Sequence, residues 1–192
     1  MPASVLYLNA FPGSGKLTIA RHLAPLIVSS RILDNHQLID PVESYCPRGH
    51  PKYWDERAKL RQKLLARVKE DPETVYIFTD SRAGYDECVG DYMDLALWPT
   101  NRRFYSVVLE CDEGENVRRL ESEGRKGGKL RDAEVLLEYR RKYHGGIWKF
   151  GDEDELVLDV TNLAPAEAAR IIFQWWSPRE MEGRCRDGEY DL

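Results

Sequence analysis

The run Val5-Leu6-Tyr7-Leu8-Asn9-Ala10-Phe11-Pro12-Gly13-Ser14-Gly15-Lys16-Leu17-Thr18 constrains this chain more than any other segment. A short apolar stretch meets a turn holding two glycines. A lysine then opens a segment in which Leu17, Ala20, Leu23 and Ala24 recur at helical spacing. Strand, glycine turn and helix in that order are the context of a phosphate-binding P-loop. Gly13 and Gly15 let the backbone close around an anion where a side chain would intrude. The amides of the turn and of the first helical turn face that anion, with the helix dipole behind them. Lys16 adds a point charge suited to β- and γ-phosphates. Phe11, Pro12, Gly13, Ser14, Gly15, Lys16, Leu17 and Thr18 are therefore expected at a nucleotide. A glycine-rich turn with a surface lysine is the plainer reading, but it leaves the agreement of all four features to chance.

Two positions depart from the usual G-x-x-x-x-G-K-[ST] pattern. Ala10 stands at the first glycine, which is tolerable if its φ is negative. Leu17 stands where a hydroxyl normally ligates Mg²⁺. Thr18 follows, about 100° further round the helix, where the α-phosphate is its more natural partner. Mg²⁺ keeps several waters and borrows few protein ligands, so weakened metal anchoring is expected rather than a dead site.

The 192 residues suit one domain with a full core, and 42% hydrophobic with 32% charged residues is a globular composition. A net charge of −5 argues against a dedicated nucleic-acid binder. No apolar run approaches a membrane span, and no basic-then-apolar signal opens the chain. Cys46, Cys88, Cys111 and Cys185 show neither C-x-x-C nor zinc spacing. Free thiols and a cytoplasmic location are the expectation, as a monomer or homodimer without membrane or nucleic-acid partners.

Beyond the P-loop helix, strands are expected at 26–33, 74–78, 104–109 and 156–159, and helices at 53–70, 86–97, 114–123, 132–143 and 165–176. Alternating β and α elements behind a P-loop imply an α/β fold: a three-layer α/β/α P-loop NTPase architecture with a five-stranded parallel sheet. Residues 1–176 form the domain, with an acceptor cap at about 35–60, a small basic lid at about 121–135, and a polar, frayed tail at 177–192. Ligands of such sheets bind at the carboxyl ends of the strands. That rule gathers the P-loop, Asp34-Asn35-His36, Asp80-Ser81-Arg82, Cys111-Asp112 and Thr161-Asn162 into one crevice.

Within it, Asp34 can orient an acceptor hydroxyl and take its proton, or simply cap a helix. His36 and Arg82 are candidate substrate contacts, and Thr161 a candidate nucleotide contact. Asp80, with Asp34, is the candidate carboxylate for Mg²⁺ through water. Residues 41–54 are rich in proline and aromatics, and Tyr45, Arg48, Tyr53 and Trp54 are candidates for an acceptor-binding cap. The segment 120–131 sets Arg125, Lys126, Lys129 and Arg131 among three glycines. A flexible cationic flap there would exclude water and neutralise charge on a transferred phosphoryl group; a solvated loop is the bland alternative.

These motifs resemble the P-loop small-molecule kinases: nucleoside monophosphate, shikimate and gluconate kinases and chloramphenicol phosphotransferase. The likeness spans about residues 4–175. It is nearest to AAA domain or shikimate-kinase-like proteins with G-K-L-T loops, an N-H-x-x-x-D segment and a basic lid. Here these are Gly15-Lys16-Leu17-Thr18, Asn35-His36 with Asp40, and Arg125 with Lys129. The resemblance implies that Leu17 is a subfamily trait. It also implies that Arg119 (or Arg118) stacks on adenine, that Arg125 meets the phosphates, and that Asp34 binds the acceptor hydroxyl. ATP and Mg²⁺ are the implied cofactors, and phosphoryl transfer to a hydroxyl or phosphate of a small molecule is the implied reaction. The alternative is a nucleotide-binding accessory or switch protein with weak ATPase activity. A polynucleotide-end kinase fits the fold but not the charge.

Overall fold

The computed structural model describes residues 3–84, 87–97, 100, 102–122, 130–144 and 146–187, with backbone alone at 87 and 183–187. Five strands, β1 (Val5–Asn9), β2 (Ser30–Asp34), β3 (Val75–Asp80), β4 (Phe104–Glu110) and β5 (Glu155–Asp159), form one parallel sheet in the order β2-β3-β1-β4-β5. Around it lie α1 (Lys16–Leu23), α2 (His36–Glu43), α3 (Tyr53–Glu70), α4 (Glu87–Met93), α5 (Glu113–Leu120), α6 (Ala133–Lys142) and α7 (Pro165–Asp187).

The alternation along β1 decides which helix covers which face. Leu6, Leu8 and Ala10 pack with Ile19 and Leu23 of α1 and with Ala168, Ile172 and Trp176 of α7. Val5 and Tyr7 point the other way, against Leu65 and Val68 of α3 and Tyr92 of α4. Each large side chain so buried contributes roughly 1.5–3 kcal/mol. The expected three layers and five parallel strands are thus present, and α3 occupies the expected span.

Three local expectations need correction. The strand foreseen at 26–33 is shorter, because Ala24–Leu26 forms a 3₁₀ turn and Ser29 takes a left-handed φ of 55°. Val28 consequently points into solvent. The cap is more regular than its prolines suggested, since α2 runs through Pro41. The closing helix does not stop at Trp176. It continues through Pro178 to Asp187, with Arg179 stacked over Trp175 at 4.9 Å and its carbonyl accepting from Arg103. Two buried side chains, Trp176 and Glu180, hold this second half against the body.

Candidate functional site

β1 and β3 lie side by side, with Asn9 opposite Asp80, and β2 adds Asp34 opposite Thr79. The carboxyl ends of these strands therefore present Asp34, Asp80 and the P-loop to one crevice of about 840 Å³. In the loop, Gly13 and Gly15 take φ of 92° and 96°, the left-handed region that disfavours side chains. A Cβ on Gly13 would also sit 2.7 Å from Asn116 Nδ2. Gly15 is the N-cap of α1, and no side chain caps that helix. Its first-turn amides are thus left for an anion in the crevice. Ala10 is buried and is not among the residues with positive φ, which explains why alanine is accepted there.

Lys16 Nζ folds back over the loop, donating to the carbonyls of Ala10 (2.9 Å) and Phe11 (3.0 Å). Pro12, Ser14, Leu17 and Thr18 line the crevice. Phe11 does not. Its ring packs with Leu120 and Leu136 under the Arg140 guanidinium, 4.8 Å from the ring centre. The Ser14 hydroxyl is buried and has no hydrogen-bond partner among the described residues.

Asp34 ends β2 but does not cap α2, whose N-cap is Asn35. One of its oxygens, Oδ1, accepts from Thr79 Oγ1 at 2.8 Å. Asp80, 1% exposed, is more heavily engaged. Its Oδ1 accepts from Asn35 Nδ2 (2.7 Å) and the Ser81 amide (2.7 Å), and its Oδ2 from Arg82 Nε (3.1 Å). Buried Asn9 clamps the following loop, accepting from the Arg82 amide and donating to the Arg82 and Trp148 carbonyls. His36 lines the crevice with Nδ1 2.9 Å from Asp40 Oδ1, so the N-H-x-x-x-D segment closes as an i,i+4 pair.

Arg119 reaches from α5 to tie the crevice together. It donates to Glu115 Oε1 (2.6 Å) and to the carbonyls of Ser14 (3.1 Å), Val160 (2.8 Å) and Thr161 (2.9 Å). Hydrogen bonds from Arg118 and Arg119 hold the Glu115 carboxyl well below its ordinary range, at about 2. Thr161 faces away from the crevice. Its hydroxyl donates to Asp159 (2.5 Å) and accepts from the Asp112 amide (2.9 Å), leaving its carbonyl for Arg119. Arg125 and Lys129 lie outside the described residues. Arg131 is exposed and is not part of the lining, whereas Ser122 and Leu130, on either side of the undescribed stretch, are.

Arg57, absent from the expected site, joins it together with Asn35. Arg57, on α3, is 7% exposed and lines the crevice. It donates from Nη2 to Asn35 Oδ1 at 2.9 Å. Asn35 thereby bridges Arg57 to Asp80, a role open to it because its side chain makes no capping bond. The available signal was the i,i+4 spacing of Arg57 and Arg61 on the face that also carries Tyr53, Leu65 and Val68.

Residues 7–140 match the family described as AAA domain. The chain belongs to that family. None of the curated proteins compared matches it. Among solved structures, this AAA domain resembles a gluconokinase from Sinorhizobium meliloti 1021 (TM-score 0.62, 15% identity, covering 96% of this chain and 97% of that one). It also resembles a thymidylate kinase from Candida albicans (TM-score 0.63, 11% identity, 93% of each chain). A third is the APS kinase of Mycobacterium tuberculosis, solved with AMPPNP and APS (TM-score 0.59, 14% identity, 91% and 97%). At these identities the likeness establishes the fold: a P-loop kinase architecture carried by an AAA domain. No helix among the described residues is long and apolar enough to cross a membrane.

Proposed function

We propose that this AAA domain is an ATP-dependent phosphotransferase that moves the γ-phosphoryl group to a hydroxyl, or a phosphate, of a small molecule. The observation that carries this reading is the convergence in one crevice of the left-handed glycines, Lys16 and the Asp34 carboxylate. The P-loop amides and Lys16 hold the β- and γ-phosphates, and Thr18 serves the α-phosphate. Arg119, fixed by four acceptors, offers its guanidinium to adenine beside Leu163 and Pro165, which also line the crevice. Asp34 orients the acceptor hydroxyl and receives its proton late in transfer. Arg125 and Lys129 are assigned the neutralisation of charge developing on the transferred group. His36 and Arg82 contact the acceptor, while Phe11 and Thr161 act on the nucleotide indirectly, their carbonyls holding Lys16 and Arg119.

The donor set fits Mg²⁺ held through water. Leu17 supplies no oxygen and both Asp80 oxygens already accept bonds, whereas Asp34 Oδ2 accepts nothing among the described residues. Asp34, backed by Asp80, would hold the ion, which supplies charge neutralisation at the phosphates when bound.

The test is ADP release by the purified protein with Mg²⁺-ATP against a panel of sugars, sugar acids, nucleosides, nucleotides and hydroxylated antibiotics. Acceptor-stimulated release that disappears in Lys16→Met supports the reading. Tight ATP binding with no acceptor-dependent turnover across the panel selects a nucleotide-binding accessory protein instead.

A further inference from the structure

The turn from Phe11 to Ser14 can be built in two ways. The Ser14 amide donates to the Phe11 carbonyl at 3.3 Å, and Gly13, third in the turn, has a φ of 92°. That positive φ marks a type II turn, which becomes type I when the Pro12–Gly13 peptide plane flips. Proline suits its position in both forms, and glycine accepts either sign of φ. The local backbone therefore leaves the plane undecided. The choice matters, because across a trans peptide the Pro12 carbonyl and the Gly13 N–H point opposite ways. One orientation offers the crevice that both residues line an N–H, and the other offers it a carbonyl oxygen.

Two side chains outside the loop decide between them. Asn116 of α5, fully buried, donates from Nδ2 to the Pro12 carbonyl at 2.8 Å. Its Oδ1 accepts from Arg140 Nη1 of α6 at 3.0 Å. A carbonyl only accepts and a guanidinium only donates, so a single orientation of the amide serves both. Arg140 is itself seated over the Phe11 ring, and its charge polarises the amide that it grips. One helical turn after Asn116, Arg119 donates to the Ser14 carbonyl at 3.1 Å. The N–H groups of Gly13 and Gly15 are thus both turned away from α5.

We infer that Asn116 and Arg140 are positioning residues of the phosphate cradle, holding the Pro12–Gly13 peptide in the orientation that aims the Gly13 N–H at a nucleotide's phosphate oxygens. This deepens the phosphotransferase reading at its nucleotide end and rests on it. Neither residue is among those that line the crevice, so both act through the peptide and not on the ligand.

The experiment follows the Gly13 and Gly15 amides of the full-length, ¹⁵N-labelled protein during titration with ADP, with affinities from calorimetry. In the parent, both amide protons should move downfield as they donate to phosphate oxygens. Asn116→Asp keeps an acceptor for Arg140 but removes the donor to Pro12. It should abolish the Gly13 shift, preserve that of Gly15 and weaken ADP roughly tenfold. Arg140→Met leaves the buried amide in place and should show the same split with a smaller loss of affinity, which Arg140→Lys restores. A purely structural role would lower the thermal midpoint and leave the Gly13 response of the folded protein intact. Full Gly13 responses in Asn116→Asp and Arg140→Met, or equal losses at Gly13 and Gly15, overturn the positioning role alone. A parent that binds no ADP overturns it together with the phosphotransferase reading. A parent with a responsive Gly13 but no acceptor-dependent ADP release overturns phosphotransfer alone.

Discussion

Arg102 and Arg57 sit at opposite ends of the sheet and make opposite uses of a buried cation. Arg102, just before β4, donates to the carbonyls of Ala3 (2.6 Å), Thr74 (2.9 Å), Val68 (3.0 Å) and Asp71, and lies over the Tyr76 ring. Burial pulls its pKa down, yet the ring of carbonyls, including the α3 C-terminus, replaces the lost water. It ties together the chain entering β1, the chain entering β3 and the end of α3. At the other end, among the described residues, Arg57 has no carboxylate partner, Ser14 Oγ and Arg57 Nε accept or donate no hydrogen bond, and α1 has no side-chain cap. Both ends are polar and buried, and the two arginines differ in whether the chain's own acceptors meet all of their N–H groups.

Substitutions at the two ends should therefore fail differently. Lys16→Met should lower acceptor-dependent ADP release roughly a thousandfold while leaving the thermal midpoint near that of the parent; a collapse in stability instead would make Lys16 scaffold. Arg102→Met should do the reverse, costing about 3 kcal/mol in urea unfolding through carbonyls left without a donor, with ATP affinity preserved where the protein is folded. Asp34→Asn removes the proton acceptor but keeps a hydrogen-bonding oxygen for Thr79, and should lower kcat about a hundredfold with little change in stability.

The smallest effect is expected at Glu115, which belongs to both worlds because it braces Arg119. Its folded pKa of about 2 lies below the ordinary 4.5. The stability that it contributes is therefore present above the ordinary value and lost as pH falls through the folded one. Glu115→Gln should lower the thermal midpoint slightly at pH 7, and the gap to the parent should close between those two values. A gap that persists at the acid end would mean that Glu115 acts by packing rather than by charge.

How far the sequence disclosed this division follows from the physics of each signal. The P-loop is a local, contiguous pattern, and the strand ends carrying Asp34 and Asp80 follow from topology once the parallel sheet is inferred. Arg57 was hidden because α3 carries basic side chains at 57, 59, 61, 63, 67 and 69, and composition does not say which turn inward. Asn35 falls in the crevice by its place after β2, but its bridging of Asp80 to Arg57 depends on the packing of α3 against the sheet edge. The extension of α7 past Pro178 was missed for a related reason. Proline and a polar run mark a helix end locally, but Trp176 and Glu180 find a tertiary surface to pack on.

Phosphoryl transfer at the crevice end of the sheet is read from ADP release with and without an acceptor. An ATP-dependent phosphotransferase gives Mg²⁺-dependent release that a small hydroxyl- or phosphate-bearing compound stimulates, and Lys16→Met and Asp34→Asn each cut the stimulated part about a hundredfold or more. Release that no acceptor raises, or that survives both substitutions, would contradict it.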